Sequence, residues 1–214
     1  QLVNRVLLQK LRVDTVTTLT GATGFPVAVL GALNEVQDEL ADLFDFPILK
    51  KSAAIMLASG VVAYDMATDI LRPLRFYWPT GDNEERRITL ASDELFLNHD
   101  VYDTDAGYPY IVRMFGSNDT TGVPQCELKG APDDTTDGLY INYEYIKKPA
   151  DLTDDSDICI FPDLVMVQGA YMKIKVQNGD IAPEDVQEFI QTQGRKILGQ
   201  QRNIKRQIPR SDYL

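Results

Sequence analysis

Residues 25–43, FPVAVLGALNEVQDELADL, have the clearest pattern in the chain. Pro26 stands where proline suits the first turn of a helix. Apolar residues then recur at steps of three or four: Val27, Leu30, Leu33, Val36, Leu40 and Leu43. Polar residues fall between them: Asn34, Gln37, Asp38 and Asp42. This spacing predicts an amphipathic helix with one apolar stripe and an opposite polar side.

The chain that follows this helix changes to a period of two, from about residue 46 to residue 150. Ile88 and Leu90 alternate with polar neighbours, and a longer run alternates through Leu139, Ile141, Tyr143 and Tyr145. Turn residues such as those of 80–83 separate the short runs. The pattern predicts an antiparallel sandwich or small barrel rather than a parallel α/β sheet. Three aromatic residues before a turn are predicted to belong to its core: Phe76, Tyr77 and Trp78.

Helical spacing dominates the two ends of the chain. Near the start, apolar residues recur at Leu2, Val3, Val6, Leu7 and Leu11. Pro162 opens a second helical run, with a predicted apolar face of Leu164, Val167, Tyr171 and Ile174. A third run begins at Pro183, with Gly199 placed to cap it and a predicted apolar side of Val186, Phe189, Ile190 and Ile197.

Helices at both ends with strands between them predict an α+β fold. We expect the N- and C-terminal helices to form a bundle beside a central antiparallel β-sandwich or barrel-like lobe, followed by an extended C-terminal tail. The predicted parts are N-terminal bundle helices over 1–45, a β-rich lobe over 46–150, C-terminal bundle helices over 151–198 and a docking tail over 199–214.

The last residues reverse the charge of the rest of the chain. From residue 195 onward there is one acidic residue, Asp212, and six basic ones: Arg195, Lys196, Arg202, Lys205, Arg206 and Arg210. The side chains of this stretch therefore sum to +5, and the first 194 residues carry −16 of the total of −11. A cationic tail with little apolar spacing is typical of a peptide that docks on an acidic partner surface. The alternative is a frayed terminus with no role.

Composition excludes several classes of function. An apolar content of 44% and a charged content of 25% are ordinary for a globular protein, and no apolar run is long enough for a membrane span. The two cysteines, Cys126 and Cys159, are expected to be reduced thiols rather than a disulfide framework. Net acidity argues against a protein that wraps DNA phosphates, although it suits a conduit through which DNA passes without binding.

The segment DDTTDG at 133–138, followed by Glu144, resembles an EF-hand calcium loop. Asp133, Asp137 and Glu144 fall at the first, fifth and twelfth positions of such a loop. However, Thr135 stands at the third position, and the flanking pattern predicts strands instead of the two helices of an EF-hand. A hairpin turn explains the same residues, so neither a metal nor any other cofactor is predicted.

No other constellation of residues predicts catalysis. The one histidine, His99, stands on a predicted loop without partners for a triad or a zinc site. The acidic run Asp151–Asp157 could supply an acid/base pair for a hydrolase, but its position between a strand and a helix favours a solvated linker. The sequence therefore predicts a protein that is not an enzyme.

Three local patterns carry a resemblance to a known family. The first is the helix ending LNEVQDEL (33–40) with Phe46-Pro47-Ile48-Leu49 after it, and the second is the segment from Val61 to Arg72. The third is the order of the strand Ile141–Tyr145, PADLTD at 149–154, Phe161-Pro162, the helix with Ala170-Tyr171, and Asn178-Gly179-Asp180. Together they resemble the head-to-tail adaptor, or neck and connector, proteins of tailed bacteriophages, including the group called tail tubular protein A.

This resemblance implies a structural virion protein of the neck region, assembled in the host cytoplasm. It implies a ring, usually of twelve copies, that joins the portal protein to a downstream tail or nozzle protein and surrounds double-stranded DNA without binding it specifically. The C-terminal tail would dock on the portal through Arg202, Ile204, Lys205, Arg206, Ile208, Arg210 and Tyr213. The aspartate, tyrosine and glycine content of the loop over residues 98–109 suggests a contact with the next tail component. The alternative is a β-rich tail or baseplate module that binds carbohydrate or calcium.

Overall fold

The computed structural model describes residues 1–11, 24–79, 86–98, 108–154 and 157–207, with the side chains of all of these but residues 8, 9, 25 and 202–207. The described chain separates into two compact units. The helical unit comprises Gln1–Leu49 and Lys148–Leu214, and the β unit comprises Lys50–Lys147. Within the described ranges, no helix combines the length and the apolar character needed to cross a membrane.

Five α-helices occur in the described chain: α1 (Leu2–Arg5), α2 (Phe25–Leu43), α3 (Asp93–Asn98), α4 (Asp163–Gln177) and α5 (Pro183–Gln207). A π-helix, Val6–Leu11, continues α1, and a 3-10 helix, Pro47–Leu49, ends the first part of the helical unit. Helices α1, α2, α4 and α5 pack together, so the two ends of the chain form one bundle as predicted.

Helix α2 begins and ends where the sequence predicts, but its buried face is narrower than the predicted stripe. Leu33, Val36 and Leu40 are fully buried, whereas Val27 and Leu43 are 48% and 49% exposed. The prediction is wrong at Val27 because consecutive steps of three residues rotate around a helix of 3.6 residues per turn. Nine residues make about two and a half turns, which places Val27 opposite Val36. It is wrong at Leu43 because this last residue of the helix is exposed, although its spacing keeps it near the side of Val36. Val29 completes the buried face instead.

Helix α4 buries more of its circumference than a single stripe. Met166, Ala170 and Ile174 are buried, and so is Val167, whereas Leu164 in the first turn is 70% exposed. The helix contacts α1, α2 and α5, so apolar neighbours meet it from several directions. The predicted face is therefore correct at Val167 and Ile174 and wrong at Leu164.

Two glycines allow the helices of the bundle to approach closely. A methyl group built at Gly169 on α4 lies 2.9 Å from Val36 Cγ1 on α2. A methyl group built at Gly194 on α5 overlaps three atoms of the Phe44 ring. Phe44 in turn contacts Phe46, whose ring lies 5.0 Å edge-on from that of Phe161. Glycine at these two positions is thus required by packing.

Helix α5 is longer than the sequence predicts. Val186, Ile190 and Ile197 are buried as expected, but the helix continues through Gly199 to Gln207. The prediction that the chain is extended from residue 199 is wrong for residues 199–207, and Gly199 is not a cap. One glycine costs a helix about 1 kcal/mol, and the glutamine, arginine and lysine residues that follow are good helix formers. The first proline, Pro209, stands beyond the described residues.

The β unit contains seven strands in the described chain: β1 (Lys50–Met56), β2 (Ala63–Asp65), β3 (Ile70–Trp78), β4 (Arg86–Leu90), β5 (Ile111–Ser117), β6 (Pro124–Lys129) and β7 (Tyr140–Lys147). They form one sheet in the order β1-β7-β3-β4-β5-β6-β2. Neighbouring strands are antiparallel except β4 and β5, which are parallel. The first half of β4 pairs with β3 and the second half with β5, and the sheet curls into a half-barrel. This agrees with the barrel-like form of the predicted lobe.

The inner face of the curled sheet carries the core that the alternation predicts. Ile88, Ile141 and Tyr143 are buried, and the Tyr143 ring stacks on Phe76 at 5.4 Å between centroids. Leu90 and Leu139, at the ends of their runs, are exposed. Trp78 is buried and donates its indole N–H to the carbonyl of Pro109. Tyr77, which the sequence assigns to the core, is half-buried beneath the Arg75 guanidinium, because successive strand residues face opposite sides.

We expect Gly194→Ala to destabilise the protein by about 1–3 kcal/mol, because the added methyl group overlaps the Phe44 ring. The matched control is Gly199→Ala on the same helix, where an added methyl group meets nothing within 4 Å. This control should stabilise the protein by about 0.5–1 kcal/mol through helix propensity. Urea unfolding of the two variants measures both effects, and equal changes in them would contradict the packing described here.

Because the thiol of Cys126 is buried, we expect the protein to lose stability at alkaline pH. Burial raises the pKa of Cys126 from 9.0 to about 12, so the unfolded chain loses this proton at a lower pH than the folded one. Its contribution to stability is full below pH 9 and is lost as the pH rises towards 12. Between pH 8 and pH 10, wild type should lose about 1 kcal/mol more unfolding free energy than Cys126→Ala. Parallel pH profiles of the two proteins would contradict this.

Candidate protein-interaction surfaces

The cationic residues that the sequence assigns to docking stand at the end of α5. Arg202, Ile204, Lys205 and Arg206 lie on the last two turns of this helix, whereas Ile208, Arg210 and Tyr213 lie outside the described residues. Ile197 is buried in the bundle, and beyond it Gly199 and Gln200 are exposed. The helix thus has exposed positions at residues 199 and 200, directly before its last cationic residues.

Charge is graded along α5. Glu184 and Asp185 stand in the first turn and Glu188 follows one turn later, all of them exposed. Arg195 and Lys196 are exposed in the second half of the helix. Acidic residues near the N-terminus and basic residues near the C-terminus both match the helix dipole. This gradient stabilises the helix.

The calcium-like segment is a turn in the connection from β6 to β7. The predicted hairpin is wrong, because these two strands are not neighbours in the sheet. The Asp133 Oδ1 atom accepts hydrogen bonds from the backbone N–H and the hydroxyl of Thr135 and from the backbone N–H of Thr136. These bonds, the Thr135 hydroxyl first, lower the pKa of Asp133. Gly138 follows with a φ of 76°, a left-handed conformation that favours glycine. The residues that resemble a calcium loop thus form the turn itself.

The three residues that resemble calcium ligands have other partners. Asp137 Oδ1 accepts the backbone N–H of Ser59 at 3.0 Å, in the turn between β1 and β2. Glu144 lies within β7 and forms an ion pair with Arg75 on β3 at 2.7 Å, which lowers its pKa. In the parts of the chain that the structure describes, no three His, Cys, Asp or Glu side chains lie close enough to hold a metal ion.

The acidic run between β7 and α4 has carboxylates that bond to its own backbone. Asp157 Oδ2 accepts the N–H groups of Thr153 and Asp154 and the Thr153 hydroxyl, and these bonds lower its pKa. A general acid requires a raised pKa, so Asp157 is unsuited to that role. Asp151 lies 3.4 Å from the Lys148 ammonium. This arrangement is typical of a structured linker.

Cys159 and an adjacent cleft do not provide a nucleophile. The cleft has a volume of about 300 Å³ and lies in the helical unit between Leu30, Leu152 and Asp157. Cys159 lines it and donates to the Gln37 side-chain oxygen. Burial raises the pKa of the Cys159 thiol, whereas a reactive cysteine needs a lowered one.

Two amides on α2 hold the chain as it leaves the β unit, which sequence reasoning missed. Asn34 both donates to the Leu152 carbonyl at 3.0 Å and accepts the Leu152 N–H at 2.8 Å. Gln37 is buried and donates to the Ala150 carbonyl at 2.8 Å. The prediction that Gln37 faces the polar side is wrong, because its amide satisfies a backbone group more than a hundred residues away. The three-residue spacing of Asn34 and Gln37, which places both on one face of the helix, is the only feature of the sequence that indicates these contacts.

A second feature missed by the sequence is a group of exposed apolar side chains on the β unit: Met56, Val61, Val62, Leu139 and Tyr140. Met56 at the end of β1 pairs directly with Tyr140 at the start of β7. The predicted loop contact over 98–109, including His99, lies mostly outside the described residues.

The family model described as SU10 adaptor protein matches residues 6–210, which is nearly the whole chain. No curated protein matches the sequence.

Calcium is expected to leave the melting temperature unchanged. Asp133, Asp137 and Glu144 accept hydrogen bonds or an ion pair from within the protein, so calcium would have to break these bonds to bind. Differential scanning calorimetry in millimolar calcium, with EDTA as the control, measures the effect. A melting temperature that rises with calcium concentration would contradict this assignment and support a calcium-binding module.

Proposed function

Because the chain belongs to the SU10 adaptor protein family and is therefore a structural adaptor protein of a bacteriophage, we propose that it forms a ring that joins the portal to the tail. The ring, of twelve copies by the resemblance described above, docks on the portal through the C-terminal segment 199–214 and surrounds the DNA channel. Its likeness to the tail tubular protein A group stays a prediction.

The observation that carries the docking role is the position of the cationic segment on α5. The helix is anchored in the bundle by Ile190, by Gly194 beneath Phe44, and by Ile197. It then continues for ten further residues to Gln207 with exposed Gly199 and Gln200. An anchored helix of 25 residues presents its last turns at a defined direction, which lowers the entropy that a docking peptide loses on binding.

Charge supports the assignment of the portal as the acidic partner. Arginine and lysine in this segment would form charge-assisted hydrogen bonds with carboxylates on the portal, and isoleucine or tyrosine side chains would fill apolar pockets between them. The remaining chain, with a net charge of −16 over residues 1–194, suits the wall of a channel through which DNA passes without adhering.

The proposal also assigns a role to each segment of the chain. The helices of 1–45 and 151–198 build the ring wall with their bundle, the β-rich part of 46–150 faces a downstream tail or nozzle protein, and 199–214 docks. The protein resides in the neck of the virion after assembly in the host cytoplasm, takes no cofactor and performs no catalysis.

Deletion of residues 200–214 should abolish ring formation on the portal. The measurement is electron microscopy of the chain co-expressed with portal proteins from the same genome. A control variant keeps the composition of 200–214 in scrambled order, which retains the net charge and removes the register of the arginine and isoleucine residues. Loss of the ring in the deletion, with partial loss in the scrambled variant, is the expected result.

Two other outcomes would distinguish the adaptor role of the protein from the docking role of residues 200–214. A ring that forms without residues 200–214 would retain the adaptor role and remove the docking role of the segment. Absence of a ring with any portal protein of that genome would overturn the proposed function.

A further inference from the structure

The sheet of the β unit has two edge strands. β1 stands first in the strand order and pairs only with β7, whereas β2 stands last and pairs only with β6. The sheet curls into a half-barrel, but β1 and β2 do not pair with each other to close it. Within the described chain, each edge strand therefore has one side with no neighbouring strand, and a strand of another chain can pair there.

The register shows which residues of β1 direct their backbone groups away from the sheet. The Leu57 N–H donates to the Leu139 carbonyl at 2.8 Å, which makes these two residues a hydrogen-bonded pair of the antiparallel ladder. Because such pairs alternate along a strand, Ser52 and Ala54 point their N–H and C=O groups outward. Both residues are exposed, and no turn or loop in the described chain bonds to their backbone groups.

The same reasoning identifies the outward-facing residues of β2. The Leu128 N–H donates to the Val62 carbonyl at 2.8 Å, so Val62 and Tyr64 direct their backbone groups towards β6. Ala63 and Asp65 consequently direct theirs outward. Their side chains lie on the outer face of the sheet, because Tyr64 between them packs against the inner core.

The centre of β1 lacks the features that usually prevent an edge strand from pairing. The strand is seven residues long, its register with β7 has no bulge, and its sequence KKSAAIM contains no proline. Its charged residues, Lys50 and Lys51, stand at the start, and small residues follow them. Native proteins protect exposed edges with proline, bulges or charges. A long edge without such protection indicates that a strand covers it in the assembled protein.

The charges of the two edges are complementary. Lys50 and Lys51 of β1 have no ion-pair partner among the described residues. Asp65 of β2 accepts hydrogen bonds from the neutral amides of Asn118 and Gln125, and within the described chain no cation pairs with it. An edge with two unpaired ammonium groups thus fits an edge with an unpaired carboxylate.

We propose that β1 of one copy pairs with β2 of the next copy around the ring, so that the sheets of neighbouring subunits join edge to edge. The two strands are antiparallel, with Ser52 opposite Ala63 and Lys50 opposite Asp65. This inference rests on the proposed function, because a closed ring supplies every β1 with the β2 of a neighbour. A ring contact joins two different surfaces of each copy, and the two edges of one sheet are such surfaces.

The alignment preserves the two faces of the sheet. Ile55 of β1 belongs to the inner core, so Lys50 and Ser52, at odd separations from it, lie on the outer face. Ala63 and Asp65 of the neighbouring copy lie on the outer face as well. The Lys50 ammonium and the Asp65 carboxylate therefore meet on the same side of the joined sheet.

Pairing of β1 with β1 about a two-fold axis is the competing arrangement. It leaves the β2 edges of both copies uncovered, and it supplies no carboxylate to Lys50 or Lys51, because β1 contains no acidic residue. A two-fold contact also joins two copies and does not continue around a ring. The contact between β1 and β2 satisfies both edges of every copy.

The contact is short, because β2 contains three residues. A few backbone hydrogen bonds do not offset the entropy that two free copies lose on association. The portal overcomes this cost by holding neighbouring copies side by side, which raises their effective concentration. The experiments are therefore carried out on the full-length chain bound to the portal.

Disulfide cross-linking tests the alignment directly. Ser52→Cys combined with Ala63→Cys places two thiols on opposite residues of a hydrogen-bonded pair, whose Cα atoms lie about 5.5 Å apart, a distance that suits a disulfide. Oxidation should link neighbouring copies into a ladder of products larger than a dimer on a non-reducing gel. Wild type and the two single variants are the controls, and we expect them to stay unlinked.

Proline substitution tests the backbone pairing. Ser52→Pro or Ala63→Pro removes an N–H that points away from the sheet, so the pairing of each strand within its own copy is kept. Either variant should lower the fraction of portals with a closed ring about tenfold in electron micrographs. Ser52→Thr and Ala63→Thr are the matched controls, because they keep the N–H and should form rings as wild type does. Melting temperatures check that all four variants are folded.

The outcomes distinguish this inference from the function on which it rests. A closed wild-type ring on the portal, together with no ladder from the double cysteine variant, overturns the edge contact and retains the adaptor role. Loss of the ring in Ser52→Pro but not in Ala63→Pro would identify a different occupant of β1, either a second β1 or a strand of a tail protein, and overturns it as well. Absence of a wild-type ring on any portal would overturn the proposed function and this inference together.

Discussion

The pairing of β1 with β7 is the constraint on which the rest of the structure depends. Lys50, where the chain enters the β unit, pairs with Ile146, next to the residue at which it leaves. The long β insertion therefore begins and ends at neighbouring points. This allows the segments on either side of it, separated by about a hundred residues of sequence, to belong to one helical bundle. Antiparallel pairing of the first and last strands of an insertion brings its ends together without a long connection.

The helical bundle is then specified by contacts that join the first part of the chain to the last. Asn34 and Gln37 on α2 bind the backbone at residues 150–152, and Val36 fits against Gly169 on α4. Phe44 covers Gly194 on α5. Each contact joins a residue before the β unit to one after it. The direction in which the cationic end of α5 emerges is consequently set by residues near the start of the chain.

The sign of the charge differs between parts of the fold. Basic residues concentrate towards the end of α5, whereas the charged residues of 52–71 and 130–146 in the β unit are all acidic. Opposite charges on two surfaces of one molecule allow it to discriminate between two partners, since each surface repels the partner of the other.

The amino-acid sequence by itself determined the kinds of element and most of their bounds. A period of 3.6 or 2, proline at helix starts and glycine in turns are local properties, so α2, α4, α5 and the alternation of β7 were predictable from neighbouring residues. The tertiary structure decided what each polar residue does. Glu144 resembles a calcium ligand in the sequence, but the fold brings Arg75, sixty-nine residues earlier, into an ion pair with it. Gln37 resembles a surface residue in the sequence, and only the fold places the Ala150 carbonyl where it accepts a hydrogen bond from the Gln37 amide. Met56 and Tyr140 are neighbours only because β1 pairs with β7, and no local pattern in the sequence relates them. Partners that are far apart along the chain are chosen by the packing of the whole fold, and no local spacing encodes them.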